Sequence, residues 1–206
     1  VPNPNNLAPN ASFEIDTIPE GIPDDWTNTT FGSGITIVTS LVSSPVIAGT
    51  KAMMLNVTAI VPPSSLSAHS RLQTVASAVL ASQGQQYTAS VYVQTSTLVY
   101  NARVQIDWYN SGGAVISSST GTNHVFAAVN SYERISVTAV SPAGTVAARL
   151  RMTLVRPSVN DTTLGSLIWD AYQFAPGGLS DWFTFLHDGA IRGFWVLPGG
   201  QQAVIV

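Results

Sequence analysis

Apolar and polar residues alternate with a period of two along most of this 206-residue chain. This period is typical of β-strands with one buried face, whereas an amphipathic helix repeats about every 3.6 residues. A helical period is almost absent, and the nearest candidate, Leu72–Ser82, is rich in β-branched and hydroxyl residues that favour strands. We therefore expect an all-β fold.

Clusters of Gly, Pro, Asn and Ser interrupt the alternation at the spacing of a strand plus a turn. Asn110-Ser-Gly-Gly113 and Ser141-Pro-Ala-Gly144 are predicted to be such turns, the first of them in a hairpin. About ten strands without helices predict a β-sandwich or jelly roll. The predicted strands are Ser12–Ile15, Ile35–Leu41, Ala52–Thr58, Leu66–Gln73, Tyr87–Thr95, Ala102–Tyr109, Val115–Ser118, Tyr132–Val140, Val146–Val155 and Ser166–Phe174.

A domain boundary is predicted near Ala175-Pro-Gly-Gly178, so that residues 1–178 form one domain. The remaining residues, 179–206, are too few for an independent hydrophobic core. Their apolar segments Ile191–Leu197 and Gln202–Val206 are predicted to form a C-terminal β-hairpin. Because an isolated hairpin is only marginally stable in water, we expect this tail to pack on the domain or on a neighbouring subunit.

Charged residues make up only 9% of the chain, against roughly 25% in an average globular domain. Eleven acidic residues outnumber eight basic ones, so the basic footprint of a nucleic-acid-binding protein is missing. No apolar run reaches the roughly 18 residues that cross a bilayer, so membrane insertion is not expected. The surface must consist largely of hydroxyl and amide side chains, which is common on secreted and particle-borne proteins.

Nothing in the sequence favours catalysis. The chain contains no Cys, which excludes thiol nucleophiles and Cys-based metal sites. The three histidines lie in unrelated contexts, and no G-x-S-x-G nucleophile motif is present. A glycosidase holds two carboxylates about 5–10 Å apart across its substrate, whereas Glu14, Glu20 and Glu133 are scattered. We predict that the protein is not an enzyme.

Period-two alternation also assigns side chains to the two faces of each predicted strand. In Ala102–Tyr109 the apolar residues at even positions point inward, and the residues at odd positions point outward. The same reasoning directs two arginines outward in Val146–Val155 and a tyrosine outward in Tyr87–Thr95. The resulting candidates for ligand contact are Tyr92, Arg103, Gln105, Asp107, Tyr109, Arg149 and Arg151.

If these strands lie in one sheet, its exposed face carries aromatic rings, guanidinium groups and amides on a rigid scaffold. Aromatic rings stack on the C–H face of a pyranose, and planar guanidinium groups hold hydroxyls or a carboxylate in a bidentate manner. The face is therefore predicted to bind a cell-surface glycan or polysaccharide. The alternatives are an ordinary solvated sheet face and a face covered by a neighbouring subunit.

Several segments that follow one another along the chain resemble a known family. They are Asn6-Leu-Ala-Pro-Asn-Ala-Ser-Phe-Glu14, Ile22-Pro-Asp-Asp-Trp26, Gly49-Thr-Lys-Ala52, Tyr87-Thr-Ala-Ser-Val-Tyr-Val93 and Trp169-Asp-Ala-Tyr-Gln-Phe-Ala-Pro-Gly177. Over residues 5–178 the chain resembles the carbohydrate-binding modules found beside cellulases and xylanases, in the galactose-binding-like superfamily. It is also similar to the related jelly rolls of bacteriophage minor tail proteins.

The resemblance implies a β-jelly roll with a structural calcium ion, Ca2+. Glu14 and Asp170 match the two carboxylate positions of the family. Lys51 would contribute its backbone carbonyl, and Asn10 is a weaker candidate for a further ligand. These four residues are the predicted metal site.

The alternation agrees in part with a metal at Asp170. Asp170 shares parity with Tyr172 and Phe174, so it is expected to point inward from an apolar strand. A lone inward carboxylate is costly unless it is paired or metal-bound, and a hard cation with carbonyl and carboxylate oxygens is one solution. Hydrogen bonding of Asp170 to loop amides is the alternative.

The resemblance to phage tail proteins suggests the setting. We expect a non-catalytic glycan-binding module on a phage tail or other virion or extracellular surface, attaching to host envelope carbohydrate. The alternative is a structural virion or surface-assembly domain that has kept the fold without a sugar site. Either protein would contact other virion or surface subunits.

The tail is expected to make these contacts in a homo-oligomer. The alternation directs Trp169 outward from the last predicted strand, Ser166–Phe174. A lone indole exposed to water would be unusual there. The tail that follows carries Trp182, Phe194 and Trp195, too much apolar surface to stay disordered. These four aromatic residues are the predicted interface.

Overall fold

Strands account for all the regular secondary structure in the part of the chain that the structure describes. The computed structural model describes residues 6–8, 10–17, 21–30, 34–64, 67–72, 79–178, 182–187, 190–196 and 202–205. The strands are β1 (Trp26–Thr30), β2 (Ile35–Val42), β3 (Ala52–Ile60), β4 (Ser67–Leu72), β5 (Val79–Leu80), β6 (Gln86–Thr95), β7 (Asn101–Tyr109), β8 (Val115–Thr120), β9 (His124–Val125), β10 (Glu133–Val140), β11 (Ala147–Val155), β12 (Gly165–Pro176), β13 (Trp182–His187), β14 (Ala190–Val196) and β15 (Gln202–Ile205). The prediction of an all-β protein is confirmed. No helix in these ranges has the length and apolarity to span a bilayer.

Two antiparallel sheets pack face to face and form the sandwich. One has the strand order β1-β4-β11-β7-β8, with β5 beside β11 and β9 beside β7. The other has the order β10-β6-β12-β3-β2. Consecutive strands often lie in different sheets, as β6 and β7 do, and this arrangement is typical of a jelly roll.

The hydrophobic core lies between the two sheets, where both contribute their apolar faces. Val146, which was predicted to point inward, precedes β11 and is 44% exposed. The other predicted inward residues of β7 and β11 are buried as expected. They are Ala102, Val104, Ile106, Trp108, Ala148, Leu150, Met152 and Leu154. Because alternate residues point to opposite sides of a strand, this burial directs the polar residues of both strands to the outer face of the same sheet.

The predicted first strand, Ser12–Ile15, is instead a loop. Asn10 closes this loop, since its Nδ2 donates to the carbonyls of Ile15 (2.8 Å) and Asp24 (2.9 Å). The backbone N–H of Ile15 donates back to Asn10 Oδ1 at 3.0 Å. Phe13 is fully buried but has a φ of 60°, outside the strand region. An apolar residue buried in a loop thus gave the same sequence pattern as a strand. The first strand among the described residues is β1.

A β-bulge at Ala171 reverses the side-chain parity that was predicted for β12. Trp169 pairs with Val93 and Asp170 with Tyr92, and the register then shifts before Gln173 pairs with Ser90. Ala171 has a φ of 50°, which marks the irregular position. An extra residue in one strand sends the following side chains to the opposite faces.

Two predictions about β12 are therefore wrong. Trp169 does not point outward to an interface but lies in the hydrophobic core with no exposed surface. Asp170 does not share a face with Tyr172 and Phe174, because the bulge separates them. Only the latter two belong to the hydrophobic core.

The C-terminal strands pair with one another as a separate three-stranded sheet in the order β13-β14-β15. The predicted hairpin corresponds to β14 and β15, and β13 adds a third strand. In the described residues these strands do not extend an edge of the sandwich. The side chains of Trp182, Phe194 and Trp195 lie outside what the structure describes, so their role in an interface stays a prediction.

Candidate binding face

Polar side chains of β7, β8 and β11 share the outer surface of the seven-stranded sheet. Paired residues of antiparallel strands lie on one face, and the register pairs Asp107 with Arg149, Gln105 with Arg151 and Arg103 with Thr153. On the other side of β7, Asp107 pairs with Ser118. We call this surface the arginine face; it consists of Arg103, Gln105, Asp107, Tyr109, Ser118, Arg149, Arg151 and Thr153. It brings together all the predicted glycan-binding residues except Tyr92.

Asp107 is the centre of a hydrogen-bond network on the arginine face. Its Oδ1 accepts from Gln105 Nε2 at 2.6 Å and from Ser118 Oγ at 2.7 Å. Its Oδ2 accepts from Arg151 in an ion pair of 2.6 Å. Only 1% of Asp107 is exposed, so the three donors compensate a carboxylate that has lost its water. Because the donors come from three adjacent strands, the network fixes their side chains relative to one another.

Tyr109 and Arg149 form a stacked pair beside this network. The guanidinium carbon of Arg149 lies 4.6 Å from the centroid of the Tyr109 ring, a cation–π contact. Tyr109 is only 6% exposed. The prediction that Gln105, Asp107 and Tyr109 are exposed is therefore wrong, because all three are buried, whereas the three arginines of the face are partly open and Ser118 is exposed. Solvent meets guanidinium groups rather than a bare aromatic ring.

Several polar atoms of the arginine face are buried without a hydrogen-bond partner among the described residues. They are the Nε atoms of Arg103, Arg149 and Arg151 and the hydroxyl oxygen of Thr153. Buried polar groups are nearly always paired, and an unpaired one costs free energy. The Nε1 atom of Trp169 and the hydroxyl oxygen of Tyr172, both in the hydrophobic core, are also buried without a hydrogen-bond partner in the described part of the chain, so this feature is not confined to the arginine face.

Two members of the arginine face were not among the predicted site residues. Thr153 shares the parity of Arg151 in β11, so the alternation contains the signal for it. Ser118 joins the face through its pairing with Asp107. The predicted hairpin turn at Asn110-Ser-Gly-Gly113 does join β7 and β8, but the register shifts between Trp108 and Tyr109, so the partner of Ser118 could not be read from the turn.

Tyr92 lies on the five-stranded sheet and cannot share a ligand with the arginine face. Its strand, β6, pairs with β10 and β12 rather than with β7. The Tyr92 ring contacts Arg134 by a cation–π contact of 5.9 Å and packs near Ala48 and Ala171. The prediction of one common face is wrong for this residue, because parity assigns a side of a strand but not the sheet that the strand joins.

The carboxylates predicted to bind calcium accept hydrogen bonds from backbone amides. Asp170 has no exposed surface, and its oxygens accept from the N–H groups of Ile47, Ala48 (3.0 Å) and Ala171 (2.6 Å). Burial raises the pKa of Asp170 to about 7, although the three amides act in the opposite direction. The alternative of loop amides around Asp170 is thus the arrangement that is observed.

Glu14 is held in the same way by the start of β3. Its Oε1 accepts from the N–H groups of Thr50 and Lys51, both at 2.8 Å, and its Oε2 accepts from Thr50 Oγ1 at 2.7 Å. A Cβ on Gly49 would lie 2.2 Å from Glu14 Oε1, and Gly49 has a φ of +73°. Glycine at this position therefore lets the loop close around the carboxylate.

The side-chain oxygen atoms of Glu14, Asp170 and Asn10 do not form a cation site as they are arranged. A calcium ion takes about 6–8 oxygen ligands, whereas N–H groups point at both carboxylates and Asn10 uses its side-chain amide within its own loop. The described residues include no group of three His, Cys, Asp or Glu that could hold a metal. Calcium binding stays a prediction from the resemblance.

A thermal melt tests the calcium prediction. If calcium binds the folded chain only, excess calcium raises the midpoint of unfolding above its value in excess chelator, because a native-state ligand stabilises by mass action. Asp170→Ala should remove that difference. Identical midpoints of the unsubstituted protein in calcium and chelator would contradict the prediction.

The raised pKa of Asp170 predicts a pH-dependent stability. The unfolded chain, with a pKa near 3.8, releases this proton before the folded chain does as pH rises. The free energy of unfolding contributed by Asp170 is therefore highest below about pH 4 and falls until about pH 7. Urea unfolding in chelator should show the protein losing stability over this range relative to Asp170→Asn. A difference that is constant with pH would contradict the raised pKa.

Comparisons with known proteins identify the fold. No protein-family model and no curated protein sequence matches the chain. Among solved structures, the family 22 carbohydrate-binding module and GH10 module of Clostridium thermocellum endo-1,4-β-D-xylanase 10B, complexed with xylohexaose, matches with a TM-score of 0.54 and 18% identity over 81% of this chain and 28% of that one. A family 22 xylan-binding domain matches with a TM-score of 0.52 and 10% identity over 82% of this chain and 94% of that one. The enzymatically active domain of bacteriophage CBA120 tailspike protein 4 matches with a TM-score of 0.51 and 12% identity over 83% and 23%.

The chain thus spans about a quarter of the length of the xylanase and tailspike structures it matches. At these identities the likeness establishes the fold and nothing further. The chain has the β-sandwich jelly-roll fold of carbohydrate-binding modules, as the sequence resemblance implied.

Proposed function

We propose that this chain is a non-catalytic module that binds cell-surface glycan through the arginine face. The observation that carries the proposal is the row of three partly exposed guanidinium groups, of Arg103, Arg149 and Arg151, on one face of a rigid sheet. Sugar hydroxyls and ring oxygens are acceptors to which guanidinium groups can donate. The Asp107 network holds the surrounding side chains in place before a ligand arrives, which reduces the ordering cost of binding.

The carboxylate content of the arginine face supports binding rather than cleavage. Asp107 is the one carboxylate among its residues, and it already accepts three hydrogen bonds. Glycoside hydrolysis ordinarily needs a second carboxyl group facing the first across the substrate. The xylan-binding domain that matches this chain over most of its own length is named as a binding domain.

We also propose an extracellular setting on a phage tail or another virion surface, with host envelope carbohydrate as the target. Support comes from the low content of charged residues and from the structural match to a phage tailspike protein. Single carbohydrate sites bind weakly, so several copies on one particle would add avidity. A homo-oligomer with other virion or surface subunits as partners is part of this proposal, and sedimentation of the intact chain tests it.

A glycan array followed by calorimetry on the best ligand tests the proposed function. Arg149→Gln should weaken binding by about tenfold or more, because a charge-assisted hydrogen bond and the guanidinium above Tyr109 are lost. The fold should persist, since Arg149 has no ion-pair partner among the described residues.

Arg134→Gln is the matched control, because it removes the same charge from the five-stranded sheet. It should bind as the unsubstituted protein does. The absence of any glycan ligand, or equal binding by both variants, would contradict the proposal. The first outcome would favour the structural, surface-assembly alternative.

A further inference from the structure

The arginine face concentrates positive charge in a chain that is acidic as a whole. The sequence has a net charge of −3 and contains only seven arginines and one lysine. Three of those arginines lie on the arginine face with a single carboxylate, Asp107. Such local clustering against the overall charge attracts anions to this surface.

Asp107 neutralises only one of these guanidinium groups. It pairs with Arg151 at 2.6 Å. Arg149 rests on the Tyr109 ring, and Arg103 donates to Asn123 Oδ1 at the long distance of 3.4 Å. Among the described residues, neither Arg103 nor Arg149 has a carboxylate partner.

The arginine face is also rich in donors and poor in acceptors. A guanidinium group donates hydrogen bonds and accepts none. The strongest acceptor of the face, Asp107, already accepts from Gln105, Ser118 and Arg151. A neutral sugar presents hydroxyl groups that must donate as well as accept, whereas a carboxylate only accepts and fits a guanidinium in a bidentate manner.

The positive groups follow the direction of the strands. Arg149, Arg151 and Thr153 occupy alternate positions of β11, and Arg103 lies opposite Thr153. At about 3.3 Å per residue, this row extends over roughly 13 Å. A row of that length fits a chain of repeated anionic groups better than one isolated ion.

We infer that the ligand of the arginine face is an acidic polysaccharide whose uronic-acid carboxylates bind Arg103 and Arg149. This inference rests on the proposed function and specifies the class of glycan. Arg103 and Arg149 hold the carboxylates, and the Asp107 network keeps Arg151 beside them.

The test compares acidic polymers with neutral forms of the same chains. Polygalacturonate, alginate and hyaluronan are titrated into the intact protein by calorimetry, each beside its carboxyl-reduced counterpart, together with neutral xylan and mannan and a thymidine oligonucleotide. At least one acidic polymer should bind, and carboxyl reduction should weaken it about tenfold or more. Raising the salt from about 0.05 M to about 0.5 M should weaken it as well.

Substitutions test whether the arginines of the arginine face are what binds the acidic polymer. Arg103→Gln and Arg149→Gln should each weaken the acidic polymer about tenfold, and Arg149→Lys should restore only part of the loss, since it keeps the charge without the bidentate geometry. Arg134→Gln should bind as before. Thermal melts of each variant should show a midpoint close to that of the unsubstituted protein, which checks that the fold is retained.

The outcomes distinguish the proposed glycan binding from the inference that the glycan is acidic. Binding of neutral polymers at least as tightly as acidic ones, lost in Arg149→Gln, would overturn the inference and leave the proposed function standing. Binding of no polymer would overturn both. Equal binding of the oligonucleotide and the acidic polymers would show unspecific attraction of polyanions and would also overturn the inference.

Discussion

Replacing Trp169 by alanine is expected to lower the free energy of unfolding by about 3–5 kcal/mol. Trp169 has no exposed surface and lies in the core between the two sheets, with Met53 and Val93 as its register partners. Removing the indole ring loses its burial and leaves a large cavity in a tightly packed region. Urea unfolding followed by circular dichroism measures the change.

Leu80→Ala is the control for this prediction, because Leu80 is 79% exposed. It should change stability by no more than about 0.5 kcal/mol. A loss below about 1 kcal/mol for Trp169→Ala, accompanied by dissociation of an oligomer, would instead place this residue in an interface.

Replacing Asp107 by leucine is expected to cost about 3 kcal/mol or more, because it leaves Arg151 and two neutral donors without their buried acceptor. Asp107 is 1% exposed, and its ion pair with Arg151 is 2.6 Å long. The substitution therefore removes the carboxylate that compensates the charge of Arg151, whereas the free-energy cost of burying that charge remains. Glycan binding should fall with stability, since the same network positions the guanidinium groups.

A double-mutant cycle separates these contributions. Arg151→Met together with Asp107→Leu should recover most of the lost stability, because well-packed apolar side chains often replace a buried ion pair at little cost. The double variant should still bind glycan more weakly, since one guanidinium group is gone. If the double variant is as unstable as the two single variants added together, the pair is not coupled and the network has been misassigned.

Alternation in the sequence predicts strands well where the strand is regular and one face is buried. The segment 102–109 was predicted almost to its observed bounds, and its inward residues are buried as expected. Alternation gave the wrong side-chain faces around Ala171, because a bulge changes parity without leaving a distinct residue pattern. It also failed at Phe13, where an apolar residue is buried by a loop.

The candidate site was predictable for a related reason. Arg103, Asp107, Arg149 and Arg151 have outward parity in two long regular strands, and those strands are neighbours in the sheet. Tyr92 has the same parity, but its strand joins the other sheet, and sheet assignment depends on contacts between distant segments. The ring of Tyr109 lies against the guanidinium group of Arg149 from the neighbouring strand, a contact that a single sequence does not reveal.

The arginine face and the amide loop around Asp170 belong to different sheets of the sandwich. Substitutions at sites further apart than about 7–10 Å, with no shared partners, usually change stability additively. The residues that recognise a ligand can therefore be varied, in a directed library or by natural drift, without disturbing the carboxylate that fastens the loop. A jelly roll built in this way is a practical starting scaffold for new binding specificities.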